Sequence, residues 1–287
     1  MIKNLLKCFL LIALPQISFS QPIEVALEAI SHYEIKAGKL TGNKRVVEEN
    51  FYTLKNQCIR QIIFNDSLPR IEKFIFLFYS KNDLVSKESH DYKDTVVEIT
   101  RYKYSVDDKL LEENIYKRQA SSSLSLFEIV RYKYSDSLVS EKTILDKKLK
   151  VLEKTSYTRT NDFETETSAF KNMNKPGDLK KQETKTYFSN SKKDKILVAT
   201  EDFDGQKESK NQIYSYSYKD SLDIERIIFL SSKGDTLQVN ESKYTLKGKK
   251  ISEALFDKSG NYISYTSIER YRYMINLGKQ EMYKLKK

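Results

Sequence analysis

The sequence has few of the residues that catalysis and cofactor binding commonly use. Its 287 residues include two histidines and no tryptophan. Neither histidine lies in a metal-binding pattern or a nucleophile elbow, and no Gly-x-Gly-x-x-Gly or Walker-type run is present. We therefore expect a protein that is not an enzyme and has no catalytic residues, no bound metal and no cofactor.

Glycine and proline are also scarce, with eight and four residues. No linker rich in these residues divides the chain, which predicts one domain over residues 44–287. Residues 119–123 and 171–178 fall between repeated motifs, and we interpret them as long loops within that domain. Residues 21–43 form a separate N-terminal segment that is either a helix or the first strand.

The longest apolar stretch of the chain lies at its N-terminus. Residues 1–20 combine Lys3 and Lys7 with a short apolar core and end in small residues at the positions that a signal peptidase reads. This pattern predicts a signal peptide cleaved before Gln21, and a protein exported to the periplasm, the cell surface or the medium. No later segment is apolar enough to cross a bilayer as a helix.

Cysteine is nearly absent from the predicted mature chain. Removal of residues 1–20 takes Cys8 with it and leaves Cys58 alone, which excludes an intramolecular disulfide. We interpret Cys58 as a small buried apolar residue in a strand over residues 58–64.

An aromatic-x-Tyr-Ser/Thr tag recurs along most of the chain. Its clearest copies begin at Arg101 and Arg131, and the same five letters return 30 residues later. The last aromatic of each copy falls at Tyr52, Tyr79, Tyr104, Tyr134, Tyr157, Phe188, Tyr218, Tyr244 and Tyr273. The steps range from 23 to 31 residues, which predicts a repeat architecture.

Each repeat holds two runs that alternate with a period of two and are separated by turn residues. Tyr214, Tyr216 and Tyr218, for example, alternate with polar residues before a turn at 219–221. Such runs predict β-hairpins, and residues 44–280 have room for about 17 strands. The fold class expected is therefore all-β, a long antiparallel meander curled into a trough, a superhelix or a partly closed barrel. Residues 74–79 and 227–230 are apolar on both faces, which predicts that the sheet folds over itself somewhere or that a helix packs on it.

The tyrosines of the tag have a structural interpretation and a functional one. On strands they would share one face and stack as a ladder across neighbouring strands, which is sufficient to explain them. The alternative is a ligand surface, with the candidates Tyr102, Tyr132, Tyr216, Tyr218 and Tyr271.

Lysines cluster in several predicted turns of this basic chain, whose formal net charge is +10. Solvated turns explain most of them. The functional alternative is a rim formed by Lys192, Lys193, Lys247 and Lys250 that meets an anionic polymer or lipid outside the cytoplasm. Other partners expected are an unknown protein, a glycan or an envelope component, whereas export makes nucleic acid an unexpected partner.

Two further motifs contain residue types used in metal binding or catalysis, but both are interpreted as turns. Residues 202–205 match part of a calcium loop but lack the later ligands and the closing glutamate, so a hairpin turn is favoured. His90 follows Ser89 and precedes Asp91 at a predicted turn, an order that leaves a serine–histidine–aspartate arrangement open without supporting it.

The repeats resemble the YD and MORN-type hairpin repeats of exported bacterial proteins. Residues 256–261 resemble the aromatic-Asp-x-x-Gly-Asn turn of YD repeats, and residues 232–235 and 246–249 are weaker matches. The rhythm covers most of residues 44–280. Such families act mainly as shells, scaffolds and interaction surfaces, so the resemblance implies a non-catalytic role.

Three hypotheses follow for the function. The first is an exported, non-enzymatic β-repeat protein that acts as a binding or scaffold module in the periplasm or at the cell surface. The second is a carrier that holds a lipid or another apolar ligand on a concave aromatic face. The third is an outer-membrane β-barrel, for which a lipid-facing row must be continuously apolar, whereas many runs here are charged on both faces.

Overall fold

A computed structural model describes residues 23–65, 70–119, 123–160, 163–170, 179–189, 191–276 and 281–284. The predicted signal peptide and the predicted loop at 171–178 lie outside these ranges, as do residues 120–122 of the other predicted loop. Within them the chain forms nineteen β-strands and no helix. The N-terminal segment therefore contributes the first strand and not a helix.

The strands follow one another with short connections. They are β1 (Ile23–Lys36), β2 (Lys39–Tyr52), β3 (Cys58–Phe64), β4 (Ile71–Ser80), β5 (Asp83–Asp91), β6 (Val96–Tyr104), β7 (Leu110–Arg118), β8 (Leu124–Ser135), β9 (Leu138–Asp146), β10 (Val151–Arg159), β11 (Phe163–Phe170), β12 (Leu179–Ser189), β13 (Lys192–Asp202), β14 (Lys207–Lys219), β15 (Leu222–Leu230), β16 (Thr236–Thr245), β17 (Lys250–Asp257), β18 (Tyr262–Asn276) and β19 (Glu281–Lys284).

Eighteen of these strands close into an antiparallel barrel. Each strand from β1 to β17 pairs with the next one along the chain, and β1 also pairs with β18, from Ile23 opposite Ile275 to His32 opposite Thr266. The short β19 pairs with the C-terminal end of β18, beyond the part of β18 that pairs with β17. The structure thus confirms the all-β meander, and closure joins what would be the two free edges of the eighteen-strand sheet.

The barrel wall is a single layer. Among the described strands, close contacts join only strands that are one or two places apart around the ring. In the part of the chain described, neither a helix nor another strand covers residues 74–79 or 227–230, and Phe78 is 46% exposed, so the sheet curves over on itself only by closing into the ring. The apolar side chains of β4 instead pack sideways, as Phe74 does against the buried residues of neighbouring strands.

The main apolar cluster lies where the first and last strands of the ring meet. Val25, Leu27, Phe51 and Ile62 are buried together on β1, β2 and β3. Leu27 pairs with Phe51 on one side and with Tyr271 of β18 on the other. These four residues, which we call the seam cluster, therefore hold together the closing strand pair and its neighbours.

One turn geometry recurs at both ends of the barrel. It is a five-residue turn in which the N–H of the first residue donates to the carbonyl of the fifth. The N–H of the fourth residue donates to the carbonyl of the first. The turns that share this pattern span residues 53–57, 91–95, 105–109, 146–150, 202–206, 231–235, 245–249 and 257–261. The hairpin turn predicted at 202–205 is thereby confirmed.

The fourth residue of these turns always has a positive φ, but glycine occupies it only in half of them. Gly205, Gly234, Gly248 and Gly260 stand there in four turns, and Asn56, Asp94, Asp108 and Leu149 in the others. Asn and Asp tolerate left-handed backbone better than most residues, because their short polar side chains bond locally. The scarcity of glycine is therefore compatible with a regular hairpin array.

Leu149 is the turn residue least suited to its backbone, and its replacement should stabilise the protein. Its φ is 64°, and its side chain is 57% exposed, so little burial is lost. Left-handed backbone costs an L-residue about 1–2 kcal/mol, of which glycine's greater chain entropy cancels about 0.5–1 kcal/mol. Leu149→Gly should raise the free energy of unfolding by about 0.5–1 kcal/mol in urea titrations.

The reverse substitution in an equivalent turn is the matched control. Gly248 has a φ of 73°, and no atom lies within 4 Å of a Cβ added there. Gly248→Leu should therefore destabilise the protein through backbone strain alone, by about 0.5–1 kcal/mol. A loss of stability in both variants would contradict this account of the turns.

Candidate functional site

The tag aromatics of the even-numbered strands from β2 to β16 lie on one face of the barrel wall, which we call the tyrosine face. Side-chain alternation and strand register place Tyr102 opposite Glu113 and Tyr132 opposite Lys142 on this face. The tag residues that share it are Tyr52, Tyr79, Tyr104, Tyr134, Tyr157, Phe188, Tyr218 and Tyr244. One repeat is one hairpin, so the tag returns on every second strand.

The predicted stacking of these tyrosines across neighbouring strands is wrong. Strands two places apart are separated by about 9–10 Å, whereas aromatic rings in contact have centroids about 4.5–7 Å apart. No ring contact joins two tag residues of the tyrosine face among the residues described. Each repeat contains two strands, so successive tags lie two strands apart and their rings do not meet.

The tyrosine hydroxyls reach the strand between two tags instead. Tyr104 donates to the carbonyl of Leu84 at 3.0 Å, and Tyr134 donates to that of Leu110 at 2.9 Å. Tyr132 donates to the Glu113 carboxylate at 2.5 Å. In each case the acceptor belongs to the strand that precedes the tyrosine in sequence. The hydroxyls thus fasten successive hairpins to one another, which supports a structural role.

Burial keeps the hydroxyls of Tyr102 and Tyr132 protonated. It is the main cause that raises the pKa of Tyr102 to about 12, with a smaller effect from the Glu113 charge. Burial, followed by the hydrogen bond to Glu113, raises the pKa of Tyr132 above its usual range. Both groups therefore remain hydrogen-bond donors well into the alkaline range.

The structure does not bring the five candidate ligand-binding tyrosines together as one surface. Tyr102 and Tyr132 are half-buried in the wall, whereas Tyr216 and Tyr218 are exposed on the same face. Tyr271 lies on the opposite face, where it packs against the seam cluster and donates to Glu269. The register of β18 places Thr266 on the tyrosine face. Tyr271 is an odd number of residues away from Thr266, so its side chain lies on the opposite face.

Three of the four lysines of the predicted rim contact tyrosine rings. The Lys192 ammonium lies 4.7 Å from the centre of the Tyr216 ring, and that of Lys250 lies 5.9 Å from the Tyr244 ring. Lys193 lies 6.0 Å from the Tyr214 ring. Lys247 is in the turn at 245–249. Of these three cation–π contacts, the one between Lys192 and Tyr216 joins residues of the two predicted sites, while polyanion binding stays a prediction.

Carboxylates on the opposite face form ion pairs across strands. Glu112 accepts from Lys103 at 2.8 Å and from Arg131 at 3.0 Å, so it joins β6, β7 and β8. Glu141 joins β8 to β10 in the same way, with Lys133 and Lys154 each at 2.8 Å. The lysine bonds are the main cause that holds the pKa of both carboxyls at about 2.

These depressed pKa values predict loss of stability in acid. Glu112 and Glu141 ionise in the folded protein at lower pH than in the unfolded chain, so their stabilisation is present above about pH 4.5 and is lost as the pH falls toward 2. Glu141→Gln should reduce the fall in thermal midpoint between pH 5 and pH 2.5. Glu164→Gln, at a carboxyl paired with one arginine, is the control. An unchanged acid dependence in Glu141→Gln would contradict the assignment.

A cluster that the sequence analysis did not predict surrounds Arg60 on the opposite face. The Arg60 guanidinium carbon lies 5.8, 5.3 and 5.6 Å from the ring centres of Phe51, Phe74 and Phe76. Its Nε is buried and has no hydrogen-bond partner among the described residues. We call these four residues the arginine cage. The sequence signal for it was the aromatic alternation within residues 74–78.

Ser89, His90 and Asp91 do not form a catalytic triad. His90 lies within β5 and not at a turn, and its Nδ1 is 2.9 Å from Asp94 Oδ1. Ser89 points to the tyrosine face, away from His90, and the Asp91 carboxylate accepts from the N–H groups of Lys93 and Thr95. The cause is the period-two alternation of a strand, which separates adjacent side chains.

Cys58 begins β3, as predicted, and is half-buried. Burial raises the pKa of its thiol to about 11, so little of the reactive thiolate forms near neutral pH. No group of three potential metal-ligating residues occurs in the described parts of the chain.

Comparisons with known proteins find similarity to solved structures at low sequence identity. No protein-family model matches the chain, and no curated protein does. A porin-like protein from Bacteroides uniformis is 7% identical and has a TM-score of 0.41, over 86% of this chain and 95% of that one. A porin-like protein from Bacteroides vulgatus is 11% identical, with a TM-score of 0.38, over 70% and 98%.

A third structure, the Tc holotoxin pore of Photorhabdus luminescens, is 10% identical with a TM-score of 0.25. The match covers 82% of this chain but 14% of that one. Similarities of this size assign no function. They also do not single out YD or MORN-type repeats, so that resemblance stays a hypothesis based on the turn sequences.

The structure contains no helix of sufficient length and apolar character to cross a membrane, within the residues it describes.

Proposed function

We propose that this protein is an exported, non-catalytic β-barrel of the cell envelope that serves as a binding or scaffold module exposed to water. The observation that carries the proposal is the presence of charged side chains near mid-strand on both faces of the closed wall. Export rests on the sequence of residues 1–20, and the non-catalytic role on the structural use of the tyrosines and carboxylates.

The charges near mid-strand fit water on both sides of the wall. Lys142 and Glu166 lie near the centres of β9 and β11 on the tyrosine face. Arg226 and Glu241 pair at 3.1 Å near the centres of β15 and β16 on the opposite face. An arginine or lysine at the centre of a lipid-facing strand costs about 2–4 kcal/mol, and an acidic residue costs less. A lipid-facing row would therefore carry charges whichever face pointed outward.

An outer-membrane barrel is the second candidate. The closed ring of eighteen antiparallel strands favours it, because such barrels have an even number of strands and porins have 16–18. The strands of about nine residues are also long enough to cross an outer membrane when tilted. The composition of the outward face distinguishes the two candidates. A face exposed to water can carry charged residues, whereas a face exposed to lipid must be apolar.

Cell fractionation tests the proposal directly. The full-length protein is expressed in a Gram-negative host, and periplasm, medium and membranes are separated. Recovery of a chain that begins at Gln21 in the periplasm, in the medium or in a salt extract of membranes supports the water-exposed module. Release from membranes only by detergent, with slower migration after boiling, would support the outer-membrane barrel and overturn the proposal.

A carrier is the third candidate, and the exposed rings of Tyr216 and Tyr218 favour it. Native mass spectrometry of protein purified from its source would reveal a co-purified apolar ligand. Loss of that ligand in Tyr216→Ala, with an unchanged melting temperature, would support a carrier. A protein without bound ligand supports the scaffold module.

A further inference from the structure

We propose that the arginine cage binds the anionic head group of an amphiphile, with an acyl chain lying along the phenylalanines of β4. The inference concerns the face opposite the tyrosines and goes beyond the proposed module, because it assigns a site and a class of ligand. It does not depend on whether the barrel is exposed to water or to lipid.

The register of three neighbouring strands builds the cage. Phe51 of β2 pairs with Arg60 of β3, and Arg60 pairs with Phe76 of β4, so the guanidinium has an aromatic ring on each side. Phe74 lies two residues before Phe76 on the same face and supplies the third ring. Aromatic faces attract the guanidinium and shield its flat surfaces, which leaves its edge as the polar part of the site.

The cationic group of the cage lacks an acceptor among the described residues. No hydrogen bond or ion pair joins the Arg60 side chain to them, and its Nε is buried. Glu49 and Asp94 act on it only as more distant charges, and burial lowers the Arg60 pKa. Arg60 is partly exposed, and its buried Nε has no acceptor, so an anion that accepts from the guanidinium edge gains a charge-assisted hydrogen bond at little further desolvation cost to the protein.

The surroundings favour an anion that carries an apolar chain over a small hydrated anion. Phe74, Phe76 and Phe78 alternate along one face of β4, and nearly half of the Phe78 side chain is exposed. On the other side of Arg60 lie the buried side chains of the seam cluster. A hydrated phosphate or sulfate would lose water against these rings with no apolar contact in return, whereas an acyl chain would cover Phe78.

Binding of dodecanoate below its micellar concentration tests the site in the full mature chain. Calorimetric titration should show saturable binding with one ligand per protein. Arg60→Gln should weaken it about tenfold or more, because the charged partner is lost, and Arg60→Lys should retain part of it. Arg101→Gln is the matched control, since Arg101 lies on the same face against one ring, that of Tyr116 at 5.4 Å.

Two further ligands identify what the cage recognises. Dodecanol has the same chain without a charge and should bind at least about tenfold more weakly than dodecanoate. Dodecyl phosphate distinguishes a phosphate head group from a carboxylate, and stronger binding of either anion supports the shared chemistry. Equal binding of dodecanol and dodecanoate, no binding of either anion, or an unchanged affinity in Arg60→Gln would overturn the proposal.

Folding defects are separated from binding defects by a second variant. Phe78→Ala removes apolar surface at an exposed position and should weaken dodecanoate binding with little change in melting temperature. Normal affinity in a folded Phe78→Ala protein would contradict the predicted path of the acyl chain. Dodecanoate binding is measured on purified protein, so an absence of binding would contradict the arginine-cage proposal without affecting the fractionation result. Likewise, a fractionation result that contradicts the proposed function would not affect the binding measurement.

Discussion

Phe51→Ala is expected to lower the free energy of unfolding by about 3–5 kcal/mol, the range for removing a fully buried aromatic side chain. Phe51 is 1% exposed, and it contacts the other residues of the seam cluster between β1, β2 and β3. A single-layer wall has no second layer that could collapse into the cavity. The substitution should therefore weaken the place where the ring closes, and urea unfolding with a tyrosine fluorescence readout would measure the loss.

Phe78→Ala is the matched control for this prediction. The residue has the same side chain and lies on the same face, but it is 46% exposed, so its truncation should cost less than about 1 kcal/mol. Similar losses in the two variants would mean that burial at the seam does not determine stability. A loss below about 1 kcal/mol in Phe51→Ala would show that closure of the ring depends on backbone pairing alone.

Local sequence patterns were sufficient to predict the strands, because the alternation of side chains that marks a strand can be recognised within a few consecutive residues. The alternation around Tyr216 predicted a strand, and the strand predicted over residues 58–64 coincides with β3. The turn at 202–205 could also be predicted, since its aspartate and glycine occupy the positions that the backbone geometry requires. Each of these features depends on side-chain period or on turn chemistry.

Closure of the ring could not be predicted in the same way. It depends on the pairing of Ile23–Lys36 with Tyr262–Asn276, strands that lie more than two hundred residues apart in sequence. It also depends on the summed register of all eighteen strand pairs, several of which contain bulges. For this reason the local sequence patterns are compatible with a trough, a superhelix or a partly closed barrel.

The arginine cage was missed for a related reason. Its residues come from three strands, and a bulge between Phe51 and Tyr52 shifts the register that brings Phe51 opposite Arg60. A one-residue change of register would place Arg60 against the other face of β2. The cage is therefore a consequence of long-range pairing, whereas the tyrosine tag is visible because it repeats.

Tyr132 should contribute more to stability than the exposed tag tyrosines, because its half-buried hydroxyl donates to the Glu113 carboxylate. Tyr132→Phe removes the donor 2.5 Å from Glu113 and should cost about 1.5–3 kcal/mol, while Tyr132→Ala should cost about 3–4 kcal/mol because it also leaves a cavity. Tyr218 is 61% exposed, and Tyr218→Phe, the control, should change stability by less than about 0.5 kcal/mol.

The pH dependence of the Tyr132→Phe effect tests its cause. Since burial and Glu113 raise the Tyr132 pKa, the hydroxyl stays protonated in the folded protein while the unfolded chain ionises from about pH 10. Its stabilisation is thus complete below pH 10 and is lost as the pH rises through the folded-state pKa. Other tyrosines with raised pKa values are common to both proteins, so the difference in unfolding free energy between them isolates Tyr132. That difference should shrink from pH 8 to pH 11, and a constant difference would show that Tyr132 stabilises the barrel through packing and not through its hydroxyl.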